Sequence, residues 1–232
     1  MDKPEQSRLD DPQIVDARSA KERDLVSWFP DHIAGQKMVN WNLAQPLLVG
    51  QFQNTLEHAT DERPLQAFFE KHPEVLLTGV VRPHNGWVIP RPKFAPPNHD
   101  PLVPDFVICE WSSVGPDWYI VELENPRKGP LKSNGDISQI CNHAANQINT
   151  YRRFIEEHGH FLRGHGWPKL HREAEGIIVI GRRNDPLRAK FPDSLQEFKR
   201  QRIDVVSYDR LLEKFRAFQA ALSTQRRVPP MK

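Results

Sequence analysis

The sequence has no long hydrophobic run, since none of its apolar stretches approaches the roughly 20 residues that a membrane-spanning helix requires. The N-terminal segment MDKPEQSRLDD is acidic and polar, which is not the pattern of a secretory signal peptide. Only two cysteines occur, Cys109 and Cys141, and neither lies in a CxxC or Cys/His cluster, which argues against a zinc finger or a disulfide scaffold. We therefore expect a protein of the reducing cytoplasm with no membrane partner.

An overall excess of one charge is also lacking, because 32 Lys and Arg side chains accompany 30 Asp and Glu side chains, for a formal net charge of +2. The charges are nevertheless unevenly distributed along the chain. Residues 1–151 carry 14 basic and 20 acidic side chains, whereas residues 152–232 carry 18 and 10. The basic half could face a polyanion such as nucleic acid, or it could be a solvated surface of uneven charge. Composition leaves both interpretations open.

Length and composition predict a folded protein with one main domain. A hydrophobic content of 38% excludes a disordered polyelectrolyte, and 232 residues suit one domain with a short appendage. We predict a partly ordered N-terminal arm over residues 1–50, a main domain over residues 51–220 and a flexible basic tail over residues 221–232. A homo-oligomer is possible, but the sequence does not determine the oligomeric state.

The strongest secondary-structure signal is a β-hairpin in which DFVICEW (105–111) and WYIVELE (118–124) flank the turn-forming segment SSVGPD. Both strands are apolar on both faces, so the pair is expected at the centre of a covered sheet. The other predicted elements are helices at 43–59, 62–72, 137–158, 191–201 and 209–222, short edge strands within 75–94, strands at 176–181 and 203–208, and helix caps at Thr60-Asp61 and Asp209. This order predicts an α/β (α+β) fold, a mixed central β-sheet flanked by helices on both faces.

Three carboxylates lie at the ends of the predicted hairpin. If the register is symmetric about SSVGPD, Asp105 lies opposite Glu124, and Glu122 lies diagonally across from Asp105. Glu122 and Glu124 share one face, because strand side chains alternate with period two. Crowded carboxylates repel unless a proton or a cation compensates, and hard oxygen ligands favour Mg²⁺ or Mn²⁺. Alternatively, the strand ends are exposed and all three acids are solvated, or a register slip separates them.

The same residues resemble a known nuclease motif. Pro104-Asp105, followed by Glu122-Leu123-Glu124, is similar to the core of the PD-(D/E)xK nuclease superfamily, and the pair Gln147 and Tyr151 resembles its QxxxY element. More specifically, the chain resembles the Shedu-type anti-phage defence nuclease domain over about residues 60–215. The stretches that carry this resemblance are Glu62–Gln66, His72–Leu76, Pro104–Phe106, Val121–Pro126, His143–Gln147, Val179–Arg182 and Val206–Asp209.

The resemblance implies a restriction-endonuclease-like fold and Mg²⁺-dependent (or Mn²⁺-dependent) hydrolysis of phosphodiester bonds, with DNA as the expected partner, in bacterial defence. It makes Asp105 and Glu122 metal ligands. The lysine of the motif falls on Glu124, which cannot supply positive charge but could bind a second metal ion or act as general base. Lys132 or Lys128, on the loop after the hairpin, could supply the charge instead.

The resemblance assigns further roles, and each has a structural alternative. Glu62 would be another acid of the metal site, although an acid is favoured at a helix start in any case. Gln147 would hydrogen-bond a phosphate or carboxylate and Tyr151 would brace the site, although both could simply pack on a half-buried helix.

Four residues are expected to contact nucleic acid. Arg182 and Arg183 directly follow a predicted strand and suit phosphate contact, although a solvated loop is the default explanation of such residues. The predicted nucleic-acid contacts are Arg182, Arg183, Lys128 and Tyr151. Because the motif lysine is replaced, an alternative function stays open: a nuclease-fold module that binds or senses nucleic acid without cutting it.

Overall fold

The computed structural model describes residues 32–39, 45–81, 86–96, 99–112, 115–190 and 193–225. All described elements belong to a compact unit that spans residues 32–232. Most of the predicted N-terminal arm and the last seven residues of the predicted tail lie outside the described residues. The first residues of that tail form the end of the last helix, which reaches Gln225. Within the described part of the chain, no helix is both long enough and apolar enough to cross a membrane.

The centre of the structure is a five-stranded mixed sheet. Its strands, in spatial order, are β3 (Gly86–Pro90), β4 (Phe106–Ser112), β5 (Gly115–Leu123), β6 (Glu175–Val179) and β7 (Ile203–Val206). The first three are antiparallel, and β5, β6 and β7 are parallel. A separate two-stranded ladder is formed by β1 (His32–Ile33) and β2 (Gln36–Lys37). The predicted central hairpin is thus β4 and β5.

Helices cover both faces of this sheet. The helices are α1 (Leu47–His58), α2 (Arg63–Lys71), α3 (Pro73–Val80), α4 (Gln139–Gly164), α5 (Pro186–Lys190), α6 (Gln196–Arg200) and α7 (Tyr208–Gln225). One large core joins α1, α2, α3 and α7 to the sheet face that carries Val121 and Leu123. Helix α4 packs on the other face, where Ile148 lies against Gly176 of β6. The predicted α+β fold class is confirmed.

The register of the hairpin differs from the symmetric one expected. Phe106 pairs with Val121, and Ser112 pairs with Gly115, so the strands continue into the segment predicted as a loop. The early turn is possible because Gly115 has φ +122°, a backbone conformation that L side chains rarely adopt. The predicted pairing is therefore shifted by two residues. The shift keeps every side chain on its face but changes which residues are opposite each other.

Other elements differ from the prediction at their boundaries. Residues 75–80, expected in edge strands, belong to α3, which Pro73 begins in the first-turn position that proline tolerates. The expected cap Asp209 lies inside α7, and the backbone N–H of Arg210 donates to Ser207 Oγ instead. At α2, Glu62 occupies the cap position, while Asp61 accepts a bond from the backbone N–H of Arg63.

Candidate active site

The site lies where β4 begins and β5 ends. One step beyond the Phe106–Val121 pair, Asp105 stands opposite Glu122 rather than Glu124. The backbone N–H of Asp105 donates to Glu122 Oε1 at 3.4 Å, and the backbone N–H of Leu123 donates to Asp105 Oδ2 at 2.8 Å. Backbone amides therefore hold the two carboxylates side by side. The prediction that Asp105 lies directly opposite Glu124 is wrong, because the observed strand pairing is shifted by two residues from the symmetric register.

The electrostatics of these acids are those of a crowded, poorly solvated cluster. Burial, reinforced by the charge of Asp105, raises the pKa of Glu122 to about 8. Burial also raises the pKa of Glu124 to about 7, with help from the charges of Glu62 and Asp105. The pKa of Asp105 is raised by burial, against the opposing effect of the Leu123 N–H bond. Each carboxyl thus makes ionisation of its neighbours less favourable, and a bound cation would reverse this effect.

Helix α2 contributes a second layer beside the acids. The half-buried Glu62, at the start of α2, raises the pKa of both Glu124 and Asp105 through its charge. Gln66, one turn further on, donates from Nε2 to the Asp105 carbonyl at 3.4 Å. Gln66 Oε1 is buried and has no hydrogen-bond partner among the described residues. Such an orphaned oxygen is costly unless a donor, a water or a cation satisfies it.

Helix α4 braces the site from the opposite face of the sheet. Tyr151 is buried, and its hydroxyl donates to the Val103 carbonyl at 3.4 Å. The same hydroxyl also interacts with Glu122, and this interaction lowers the pKa of that carboxyl. Gln147, one turn earlier on α4, interacts with the Tyr151 hydroxyl. The predicted pair Gln147 and Tyr151 is thus brought to the acids.

Two clefts lie along α4 next to the acids. One, of about 440 Å³, is lined by Glu124, Gln139, Ile140, Asn142, His143 and Asn146. The other, of about 360 Å³, is lined by Pro101, Leu102, Val103, His143, Asn146, Gln147, Thr150 and Tyr151. His143 and Asn146 border both clefts. An extended ligand could therefore lie along α4 and reach Glu124.

The predicted lysines are not joined to the acids. Lys132 is exposed, and its backbone N–H donates to the Asp136 carbonyl in a turn. Lys128 is also exposed and lines a third cleft, of about 420 Å³, together with Arg127 and Arg182. Within the described residues, neither lysine is among the main charges that shift the pKa values of the three acids.

The two predicted arginines are engaged in ion pairs. Arg182 donates to both carboxylate oxygens of Asp209, at distances from 2.9 to 3.1 Å. The backbone N–H of Arg183 donates to Asp209 Oδ2 at 2.6 Å, and its guanidinium pairs with Glu213. Asp209, predicted as a cap, therefore fixes the loop after β6. Nucleic-acid contact by Arg182 and Arg183 remains a prediction.

Two residues near the acids were given no role by the sequence analysis, Gln66 and Arg91. The backbone N–H of Arg91 donates to the Asp105 carbonyl at 2.8 Å, and the positive charge of Arg91 lowers the pKa of Asp105. No local pattern marks either residue, because each reaches the site through chain segments distant from the motif. Only the pairing of β3 with β4 could have indicated Arg91.

The donor set fits a hard divalent cation in chemistry. Asp105 and Glu122 offer adjacent carboxylate oxygens, and Gln66 offers an unsatisfied amide oxygen. In the part of the chain that the structure describes, however, no three or more His, Cys, Asp or Glu side chains are grouped closely enough to hold a metal ion. A metal-bound state therefore requires Glu124 or Glu62 to turn toward the central pair, or other ligands to complete the shell.

Comparisons with known proteins place this site in a family. The family described as "Shedu protein SduA, C-terminal" matches residues 59–212, which contain the hairpin, α4 and both parallel strands that follow. No curated protein matches the sequence. A structure of restriction endonuclease FokI bound to DNA is similar at 13% identity with a TM-score of 0.42, over 97% of this chain and 33% of that chain. The present chain thus spans about one third of the length of that enzyme. Because the family match covers most of the sequence, the chain belongs to the family of the C-terminal domain of Shedu protein SduA.

Proposed function

We propose that this protein is a Mg²⁺-dependent nuclease that hydrolyses phosphodiester bonds in DNA, in bacterial defence against phage. Membership of the Shedu family supports a nuclease in defence. The observation that carries the metal-dependent reaction is the pair Asp105 and Glu122, two poorly solvated carboxylates fixed side by side by backbone amides. Holding two such acids together is unfavourable in itself and favours the binding of a cation.

Asp105 and Glu122 would hold the ion, and the unsatisfied Gln66 Oε1, on a side chain that bonds the Asp105 carbonyl, could add a further oxygen ligand. The ion would supply positive charge that stabilises the charge developing on the phosphate. Tyr151 keeps Glu122 oriented through its hydroxyl. These residues thus position the scissile phosphate at the end of the hairpin.

Glu124 is suited to act as general base. With a pKa of about 7, roughly half of the Glu124 side chains are deprotonated at neutral pH and able to accept a proton, which is the range expected of a general base. As the water oxygen forms its bond to phosphorus, the water proton passes to Glu124, and the bond to the leaving oxygen breaks. This role explains why a carboxylate can occupy the position of the motif lysine.

A second function is favoured by two observations. Glu124 stands in place of the motif lysine, and among the described residues no three His, Cys, Asp or Glu side chains are grouped closely enough to hold a metal ion. These facts suit a module that binds or senses nucleic acid without cutting it. Such a module would shift DNA mobility yet would leave the DNA intact at any divalent ion concentration.

Cleavage assays with isosteric variants test the proposal. Asp105→Asn and Glu122→Gln should each lower the Mg²⁺-dependent cleavage rate by at least about 100-fold, because a neutral amide is a poor ligand for a hard cation. The control is Glu157→Gln, an exposed acid on α4, which should cut like wild type. Parallel DNA and RNA substrates identify the nucleic acid. Wild-type rates for either site variant would exclude this active site.

A further inference from the structure

Arg91 occupies a defined place at the end of the sheet. Strand β3 ends at Pro90, which pairs with Phe106 of β4. One step further in the same register, Arg91 stands opposite Asp105, and its backbone N–H donates to the Asp105 carbonyl at 2.8 Å. Asp105 in turn stands beside Glu122 of β5. Arg91, Asp105 and Glu122 therefore form one row across three neighbouring strands.

The backbone of Arg91 adopts an unfavourable conformation for a residue other than glycine. Its φ is +44°, in the left-handed region that residues other than glycine rarely adopt. Such strain persists where the surrounding structure enforces it, and it is concentrated at functional sites. Here the bond to Asp105 and the paired end of β3 hold the residue in place. Its position relative to Asp105 is thus fixed.

The side chain of Arg91 is available for a ligand. It is exposed, and it forms no hydrogen bond or ion pair with any side chain that the structure describes. Its charge nevertheless reaches Asp105. The arginines predicted to contact nucleic acid differ in this respect, because Arg182 and Arg183 are paired with Asp209 and Glu213. Arg91 is therefore an exposed cation, unpaired among the described side chains, that the fold places beside Asp105.

Phosphodiester hydrolysis requires positive charge near the scissile phosphate. A phosphate approaching Asp105, Glu122 and Glu124 meets three carboxyl groups, and the position of the motif lysine supplies no positive charge because it is Glu124. We propose that Arg91 contacts the scissile phosphate and supplies the positive charge that Glu124 cannot. This inference rests on the proposed nuclease function. A guanidinium can bind two phosphate oxygens at once, which also orients the phosphate toward the carboxylates.

The test compares Arg91→Gln, Arg91→Lys and the matched control Lys93→Gln. Lys93 is an exposed cation two residues along the same segment, so both Gln variants remove one charge from that segment. Single-turnover cleavage is measured with Mg²⁺. Binding of an uncleavable phosphorothioate DNA duplex is measured without metal across a range of salt concentrations. Thermal melting reports whether each variant folds. If Arg91→Gln does not fold, Arg91→Lys, which keeps the positive charge, is compared with the wild type instead.

We expect Arg91→Gln to slow cleavage by about 100- to 1,000-fold, as loss of a preorganised charge donor does. Arg91→Lys should recover part of this rate, and Lys93→Gln should cut like wild type. Arg91→Gln should also reduce the slope of log affinity against log salt by about 0.9, since one phosphate contact is lost.

The two readouts separate this inference from the function on which it rests. Wild-type protein that binds DNA but never cuts it overturns the nuclease proposal, and the salt slope then decides the role of Arg91 alone. A slope for Arg91→Gln that equals that of wild type and of Lys93→Gln overturns the contact. Normal cleavage by Arg91→Gln in an active enzyme overturns it as well.

Discussion

At the scale of single residues, the site is defined by carboxylates kept where they are poorly hydrated. Glu122 is only 5% exposed, yet it lies beside Asp105, accepts a bond from the backbone N–H of Asp105 and interacts with the Tyr151 hydroxyl. These interactions favour its charged form, but burial and the neighbouring charge outweigh them, and its pKa rises to about 8. The free energy of folding is therefore coupled to pH through this residue.

The stability of the metal-free protein should fall as pH rises from about 4.5 to about 8, because the folded state holds the Glu122 proton more tightly than the unfolded state does. The stabilisation is complete below the lower value and is lost above the upper one. It amounts to at most about 5 kcal/mol, at about 1.4 kcal/mol per pKa unit. Urea denaturation in EDTA at pH 5 and pH 9 measures it.

Glu122→Gln should reduce the difference in unfolding free energy between pH 5 and pH 9, because the amide does not titrate. Glu157→Gln, which removes an exposed acid, should leave the difference as in wild type. An unchanged pH dependence in Glu122→Gln would show that this carboxyl is well solvated.

Glu124→Gln tests the general base. The backbone N–H of Glu124 donates to the Val179 carbonyl, and the Glu124 carbonyl accepts a bond from the Tyr208 hydroxyl. Because both bonds use main-chain atoms of Glu124, the substitution leaves them intact. Cleavage by the wild type should rise with pH through about 7 as Glu124 loses its proton. The variant should cut at least about 100-fold more slowly and lose this pH dependence.

The lysine of the motif provides the complementary variant. Glu124→Lys should cut DNA as slowly as Glu124→Gln does, because a lysine beside Glu62 and Asp105 cannot take over the proposed role of Glu124 as proton acceptor. Full activity of Glu124→Lys would instead indicate that the position serves to supply positive charge.

At the scale of elements, the sequence predicted which strands form the hairpin but not their register. The apolar strands over 105–111 and 118–124 indicated a central pair because both of their faces are buried. The register depended on the conformation of Gly115, which lets the chain turn inside the segment predicted as a loop. The acids still meet, because a two-residue shift keeps each side chain on its face.

The residues that sequence patterns missed lie on other elements. Gln66 lies on α2 and Arg91 follows β3, and both approach Asp105 only through tertiary packing. Residues 75–80 were misassigned for a related reason. Their apolar run is compatible with a buried strand or a buried helix, and packing against the core of α7 and the sheet selects the helix.

Helix α4 yields a prediction about bracing. Tyr151→Phe removes a hydroxyl that bonds the Val103 carbonyl and Glu122, and should cost about 1 kcal/mol of stability. Tyr119→Phe is the matched control, because it removes a similar bond to Glu110 elsewhere in the sheet. Only Tyr151→Phe should also slow cleavage, since only that bond orients a proposed metal ligand. Equal cleavage rates for the two variants would reduce Tyr151 to a packing role.

At the scale of the whole molecule, the uneven charge of the chain is partly neutralised within the fold. The basic half supplies Arg182 and Arg183, and the same half supplies their acidic partners Asp209 and Glu213. The excess of basic residues after residue 151 therefore overstates the free positive charge of this loop. An interface with nucleic acid is better assigned from side chains without such partners.

Replacing Arg182 and Arg183 together with alanine tests this view. Two phosphate contacts would flatten the dependence of log affinity on log salt by about 2. We expect a change of less than about 1, because contact with phosphate would first require both ion pairs to open. A flattening of about 2 would show that the pairs open on binding and would restore both arginines to the interface.

The proposed function depends on a divalent cation held by Asp105 and Glu122. The most direct measurement is a crystal structure of the wild-type protein soaked in Mn²⁺, with anomalous scattering used to locate the ion. We expect one anomalous peak bound by carboxylate oxygens of both residues, at about 2.0–2.3 Å. Crystals that show no peak between Asp105 and Glu122, or a peak bound only elsewhere, would contradict it.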